Sequence, residues 1–276
     1  MRNTYDRDLR LLYTDKPRGE QPLKMKCPWH HDTDASLALY RDHAYCFGCR
    51  KWVGYVEFEK EIGEAPVATF VEEKQPELTR EEIVGFAHTY HARLFRSNKQ
   101  DYYQARGLNE DTVRKYLLGY AARAYTIPVW NAGEIESLRF RRDDAVNTDG
   151  SKYWGLPGHN RVMVFAPTGF GDRVVWCEGE LDCLVLTQLG YSAFTLTNGI
   201  GADPTPFLPL LAQCQRVTLA QDCDFASYHR SLAVAKQITE AHPDIDVRIA
   251  QWSSAKDVSE LYVKRGEQAV RKAIGR

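Results

Sequence analysis

Residues 217–226 read VTLAQDCDFA, an apolar run of strand length that ends in two aspartates one residue apart. Asp222 and Asp224 at the mouth of a buried strand repel each other, because neighbouring like charges resist joint ionisation. Two readings account for them. Either a divalent cation sits between the carboxylates, or the turn is solvated and an aspartate caps the helix that begins near Phe225. The surroundings show what kind of sheet the strand belongs to. From Gly171 onward, short apolar runs alternate with helical segments: RVVWC then LDCLVLTQLG, SAFTL then PTPFLPLLAQ, RVTLA then ASYHRSLAVAKQITEAH, and DVRIA before a last helix from about Val258. Four strands separated by helices predict a parallel sheet covered on both faces. In such sheets functional groups collect beyond the carboxyl ends of the strands. Glu178 and Asp182 of EGELD follow the first strand, Asp222 and Asp224 the third, and Lys256-Asp257 the last. So many carboxylates at one edge suit a hard cation such as Mg2+, which takes a few protein oxygens, waters and substrate phosphates.

EGELD followed at a distance by DCD resembles the Toprim domain, a Rossmann-like parallel-sheet domain shared by DnaG-type primases, topoisomerases and some nucleases. The resemblance implies that Glu178 is a catalytic acid or base, or a metal ligand, and that Asp222 and Asp224 hold Mg2+ or Mn2+. Asp182 and Asp257 would complete the set, for two or more ions. Two positions depart from the family pattern. Ser227 follows Ala226 where Ala-Gly is usual, and Ser259 stands where primases often carry a second aspartate after Lys-Asp.

The N-terminal segment, residues 1–60, contains CPWHHDTDASLALYRDHAYCFGCRKWVG. Cys27 and His30 are two residues apart, as are Cys46 and Cys49, which is the spacing of a closed tetrahedral zinc site. His31 is the alternative to His30, and the tighter spacing favours His30. A module so poor in aliphatic residues needs the metal to fold. The segment resembles the CHC2 zinc ribbon of DnaG-type primases. Trp29, Tyr40, Tyr45, Phe47 and Trp52 interleave with Arg41, Arg50 and Lys51, a mix suited to stacking bases and holding phosphates. Tyr45 and Phe47 are expected to pack the ribbon instead. Cys177, Cys183, Cys214 and Cys223 lie in or beside apolar runs and read as small core residues, with Cys223 set apart by its place between the two aspartates.

Residues 61–79, with two prolines and several glutamates, read as a linker. Residues 80–170 read as a mixed α+β domain: a helical pattern from Glu81 to Tyr103, a helix capped by Asn109, and strands in YTIPVW, GEIESLRFRR and RVMVFAP. Between Gly85 and Arg161, Lys and Arg exceed Asp and Glu by four. In SLRFRRDD, Arg139 and Arg141 share one face of the strand and Arg142 takes the other. ARGLNEDTVRKYLLGYA and SKYWG resemble primase segments, which implies template or nucleotide contacts for Arg106, Arg141 and Lys152. Arg139 and Lys256 are expected to serve the same anionic ligands.

The resemblance runs in order through ribbon, basic domain and Toprim domain (residues 171–276), and so covers nearly all 276 residues. It implies a DNA-directed RNA primase that takes single-stranded DNA and ribonucleoside triphosphates, with one structural Zn2+. The alternatives are a Toprim-type nuclease and a non-catalytic zinc-ribbon protein that binds single-stranded DNA. Net charge is −1, so any nucleic-acid site is local. Seven cysteines and no apolar leader in MRNTYDRD lead us to expect a reducing, cytoplasmic setting, at the nucleoid or replication fork, without a membrane. No G-x-x-x-x-G-K-[ST] motor motif occurs, so a separate replicative helicase is the expected partner. With no recognisable docking domain, a compact phage- or mobile-element-like form, or a piece of a longer chain, is expected.

Overall fold

The computed structural model describes residues 10, 22–32, 35–41, 43–62, 78–146, 152–156, 162–197 and 199–275. It divides into two compact units, residues 1–73 and 74–276. Most of the expected linker, residues 63–77, lies outside the described residues. Among the described residues no helix is long and apolar enough to cross a membrane.

The first unit is an antiparallel sheet in the order β1 (Leu23–Met25), β2 (Leu37–Leu39), β3 (His43–Cys46), β4 (Trp52–Gly54), followed by α1 (Tyr55–Ile62). Its core is small: Leu37, Leu39, Ala44, Cys46, Val53 and Phe58 are buried with Cys27. So little apolar surface is marginal for a module of this size, and a metal adds what the core lacks. Phe47 is 60% exposed, against the expectation that it packs the ribbon. The strand alternation explains this. Ala44 and Cys46 point inward, Tyr45 is only half-buried, and Phe47 turns out at the knuckle after Cys46 with its ring edge-on to Tyr45.

The second unit opens with α2 (Arg80–Arg96), whose first turn is closed by a capping box between Thr79 and Glu82. The helical pattern expected to reach Tyr103 breaks at Ser97, where Asn98 takes a left-handed φ of 52°. A short helix, α3 (Asp101–Gln104), resumes it, and α4 (Glu110–Lys115) follows with Asn109 as its cap. Next comes an antiparallel meander of β5 (Gly119–Ala121), β6 (Ala124–Asn131), β7 (Glu134–Arg142) and β8 (Tyr153–Gly155). Ile83 and Ala87 of α2 pack on this sheet against Ala124, Leu138 and Phe140. The strand expected in RVMVFAP is short, β9 (Val164–Phe165), and pairs antiparallel at the edge of the next sheet.

That sheet runs β13-β12-β10-β11-β9, from β10 (Arg173–Cys177), β11 (Ser192–Leu196), β12 (Arg216–Ala220) and β13 (Asp246–Ile249). β10 to β13 pair in parallel. Alternation along β10 sends Val175 and Cys177 to one core, with α5 (Glu180–Gln188) and α7 (Val258–Ile274). Val174 and Trp176 go to the other core, with α6 (Phe225–Ala241). Cys177, Cys183 and Cys214 are buried as expected, whereas Cys223 is exposed. The segment PTPFLPLLAQ forms a 3-10 helix, Thr205–Leu211, in place of the expected α-helix. Pro209 inside it has no N–H to give and is incompatible with a continued α-helical ladder.

Candidate metal centres and catalytic cavity

In the first unit Cys27, His30, Cys46 and Cys49 bring ligand atoms within 4.8 Å of one another, and this set could hold a zinc ion. Cys27 Sγ and Cys49 Sγ are 3.8 Å apart, and His30 Nδ1 lies 3.9 Å from Cys46 Sγ. Zn–S bonds of about 2.3 Å in a tetrahedron separate two sulfurs by about 3.8 Å. The knuckle needs a glycine between its cysteines, because a Cβ on Gly48 would come within 2.7 Å of His30 Nε2. Asp32 braces the site: it accepts from the Cys27 N–H at 2.8 Å and the Ser36 hydroxyl at 2.6 Å. It also lies 3.8 Å from His30 Nε2, a carboxylate placed to orient a ligating imidazole. Burial pushes the Cys27 thiol up. Cys46 is held down in spite of its burial, by bonds from the Ser36 hydroxyl and the Cys49 N–H. His31 is exposed and outside this set. On the outer face Tyr40 stacks on His43 at 4.5 Å and His43 on Trp52 at 5.7 Å, with Trp52 60% exposed.

In the second unit the carboxyl ends of three parallel strands deliver the acidic residues. Asp182 sits in the first turn of α5 after β10, Asp222 follows β12, and Asp257 caps α7 after β13. One oxygen from each of Asp182, Asp222 and Asp257 lies within 4.8 Å of the others, so this triangle could bind Mg2+. Such a cluster is electrostatically unfavourable without a cation. Burial and the charge of Asp257 raise Asp182 to about 7, and burial raises Asp222. The Lys256 ammonium opposes the shift at Asp222 from 2.7 Å.

Glu178 and Asp224 lie outside that triangle and have different surroundings. Glu178 Oε2 accepts from the Ser227 hydroxyl at 3.1 Å and, weakly, from the Asp222 N–H at 3.4 Å. Burial, then the charge on Asp222, raises its pKa. Asp224 is exposed and caps α6, accepting from Ser227 N at 2.8 Å, and that bond lowers its pKa. Asp222 therefore joins the acidic cluster while Asp224 is a helix cap, so each of the two readings of DCD describes one of its aspartates.

Both serines that depart from the family pattern hold a carboxylate. Ser227 bonds Glu178 with its hydroxyl and Asp224 with its N–H. Ser259 donates N–H and hydroxyl to Asp182 Oδ1, at 2.8 and 2.7 Å. No local pattern points to these bonds, since Ser259 and Asp182 are 77 residues apart.

A cavity of about 530 Å3 opens over the acidic cluster, and Arg106, Arg139, Lys152 and Lys256 all line it. Gly107, at a φ of 83°, makes the turn after Arg106, and a Cβ there would come within 2.6 Å of the Tyr262 ring. Arg139 Nε is 3.4 Å from the buried Glu180 Oε1 without a formed hydrogen bond. Arg141 is not among the lining residues. It is 5% exposed, bonds Asp144 at 2.8 Å and lies over the Tyr102 and Tyr153 rings.

Ribbon, meander and five-stranded sheet occur in one order along the chain, and the same order is found in a solved primase. The chain matches the zinc-binding and RNA polymerase domains of Aquifex aeolicus primase over 98% of its length and 83% of that chain, with a TM-score of 0.60 and 16% identity. The fold is that of DnaG-type primases. The primase fragment of the bacteriophage T7 primase-helicase protein aligns over 92% of this chain and all of that fragment, at a TM-score of 0.50 and 19% identity. A DnaG primase catalytic domain bound to single-stranded DNA matches over 71% of this chain and 79% of that one, at 0.58 and 14% identity. In sequence the chain is 22% identical to the DNA primase of Clostridium acetobutylicum over 90% of its length, and spans about half (53%) of that relative. No family model matches it.

Proposed function

We propose that the protein is a DNA-directed RNA primase. It binds single-stranded DNA and joins ribonucleoside triphosphates into short primers by metal-dependent nucleotidyl transfer. The observation that carries this reading is the convergence of Asp182, Asp222 and Asp257 within 4.8 Å in a cavity that also presents Arg106, Arg139, Lys152 and Lys256. Carboxylates and cations in one cavity suit a reaction in which a metal binds phosphate oxygens and fixed cations neutralise the rest.

Asp182, Asp222 and Asp257 would hold Mg2+ or Mn2+, with Asp224 and Glu178 beside them. Held there, such ions would supply Lewis acidity toward phosphate and pyrophosphate oxygens. Ser227 and Ser259 fix the orientation of Glu178 and Asp182. Burial and the charge on Asp222 raise the pKa of Glu178, which makes it a better proton acceptor than an ordinary carboxylate. Arg106, Arg139, Lys152 and Lys256 would bind the triphosphate or the template backbone. Arg141 orders the wall behind them through Tyr102 and Tyr153. In the ribbon, the Tyr40-His43-Trp52 stack offers a platform for unpaired bases.

The likeness to a catalytic domain bound to single-stranded DNA supports the choice of template, and the likeness to a fragment of a primase-helicase protein supports a helicase as partner. Residues 1–60 would form the zinc ribbon, 80–170 the basic part of the polymerase core and 171–276 the Toprim domain, joined through 61–79. The protein would act in the cytoplasm at the replication fork.

The test supplies labelled ribonucleotides, single-stranded DNA of varied sequence and Mg2+ or Mn2+. Short RNA products made by the wild type and lost in Asp222→Asn support the reading. Template degradation without synthesis would make the protein a nuclease, and binding alone would make it a non-catalytic DNA-binding protein.

A further inference from the structure

The turn that carries Arg106 is held by the far end of the helix that carries Asp182. Gln188, the last residue of α5, accepts from the Asn109 N–H at 2.9 Å through Oε1 and donates from Nε2 to the Gly107 carbonyl at 3.0 Å. One side-chain amide thus uses its acceptor and its donor on the two backbone groups that flank Leu108, and a pair of bonds fixes direction as well as distance. Leu108 is buried in the same core as Leu181, Leu184 and Val185 of α5. The leucine anchors the turn, and the amide sets its rotation about that anchor.

Between the acidic cluster and this clamp α5 is a rigid spacer, buried at every residue from Glu180 to Leu186. At a rise of about 1.5 Å per residue, the helix holds Gln188 about 9 Å along its axis from Asp182. Arg106 lines the cavity over the acidic cluster, with its guanidinium 5.8 Å from the Tyr102 ring. Arg139 faces Glu180 and Lys256 faces Asp222, whereas Arg106 is in no ion pair among the described residues. An uncompensated cation at a set distance from a metal-binding carboxylate suits an anion that reaches both, and a polyphosphate is such an anion. We propose that Gln188 is a positioning residue: it clamps the turn after Arg106 and so sets the reach of that guanidinium over a triphosphate held at Asp182. The proposal rests on the nucleotidyl transfer proposed above and adds what fixes one of its cations. The triphosphate is favoured over the template backbone because its oxygens are the ones a metal at Asp182 would hold.

Gln188→Met keeps the length of the side chain and loses both bonds. In the full chain it is expected to raise the KM for ribonucleotides about fivefold, with kcat within about twofold of the wild type, as two lost hydrogen bonds would do by loosening one cation. Calorimetry in Mg2+ should show inorganic tripolyphosphate binding weakened by the same factor, while Mn2+ affinity stays unchanged because the three aspartates are untouched. In an Arg106→Ala background the same substitution should have almost no effect on KM, since residues that act through one another are not additive. Gln188→Glu keeps the acceptor for Asn109 but not the donor to Gly107, and should fall between wild type and Gln188→Met. A lower melting temperature with unchanged KM would make Gln188 structural only; that result, or an undiminished effect in the Arg106→Ala background, would overturn the proposal and leave the primase activity standing. Weaker binding of a single-stranded DNA oligonucleotide with unchanged tripolyphosphate binding would also overturn it, by assigning Arg106 to the template. Weaker tripolyphosphate binding in Gln188→Met, with no primer synthesis even by the wild type, would support the clamp and overturn the activity instead.

Discussion

Lys256 places its ammonium 2.7 Å from Asp222 Oδ2, and its neighbour Asp257 belongs to the same acidic cluster. Adjacent residues of opposite charge therefore serve one site. The lysine side chain is 65% exposed, so it can swing away when another cation arrives. Lys256 and a metal ion then compete for Asp222. Lys256→Met is expected to tighten Mn2+ binding about two- to fivefold, the range of an exposed ion pair. Primer synthesis should fall nonetheless, because the triphosphate loses a cation. Titration of Mn2+ by electron paramagnetic resonance, beside the synthesis assay, checks both outcomes; unchanged Mn2+ affinity would remove Lys256 from this role.

Arg139, partly exposed on the cavity wall, faces the buried Glu180, and the facing atoms, Nε and Oε1, lack hydrogen bonds. Burial raises Glu180, and the Arg139 charge opposes that shift. Removing only the arginine leaves a buried carboxylate without its countercharge, which costs about 3–5 kcal/mol. Arg139→Ala should therefore lower the thermal midpoint of the core, and Arg139→Ala with Glu180→Gln should recover much of the loss. Circular dichroism melts of the two variants decide it. Equal melting points would mean the pair contributes nothing.

The four parallel strands are legible in the sequence because each is an apolar run between helical patterns, a local property. Pro209 is equally visible, yet its effect on PTPFLPLLAQ is easily underweighted beside the apolar residues around it. The acidic edge is legible only in outline. Strand ends place Glu178, Asp182, Asp222, Asp224 and Asp257 along one side, but which carboxylates meet depends on contacts between distant loops. Ser259 reaches Asp182 across 77 residues, and Ser227 reaches Glu178 across 49. In the sequence both serines read as departures, because a hydrogen bond of that span leaves no periodic trace. Phe47 misleads for the opposite reason: an aromatic residue between two zinc-spaced cysteines looks like core, yet strand alternation turns it to solvent.

The ribbon depends on its metal more than on its core. Binding of a structural zinc is worth about 10–16 kcal/mol in small zinc modules, as much as or more than the about 6–12 kcal/mol gained by burying Leu37, Leu39, Val53 and Phe58. One zinc per chain is expected by elemental analysis. His30→Ala and Cys46→Ser should lose it, and His31→Ala should retain it, since His31 is exposed outside the ligand set. Loss of zinc should abolish the dispersed amide signals of residues 22–60. Retention of zinc by His30→Ala together with its loss from His31→Ala would reverse the ligand assignment.

Asp182 links the acidic cluster to pH. Its pKa is about 7 in the folded protein, raised from 3.8 by burial and by the charge of Asp257. Between roughly pH 4 and 7 the folded state holds a proton that the unfolded state has released, so without metal this group makes folding less favourable as pH rises through that window. A divalent ion binds the ionised carboxylate and so competes with the same proton. Mg2+ affinity should therefore climb between pH 6 and 8, by at most about tenfold per unit for one proton displaced. The rise in melting temperature on adding Mg2+ should grow over the same range. Asp182→Asn should weaken this dependence, leaving the part contributed by Asp222, which burial also raises. Thermal melts at several pH values, with and without Mg2+, make the comparison. A shift that is flat with pH in the wild type would show that Asp182 is already ionised in the metal-free protein, with its charge compensated by its neighbours.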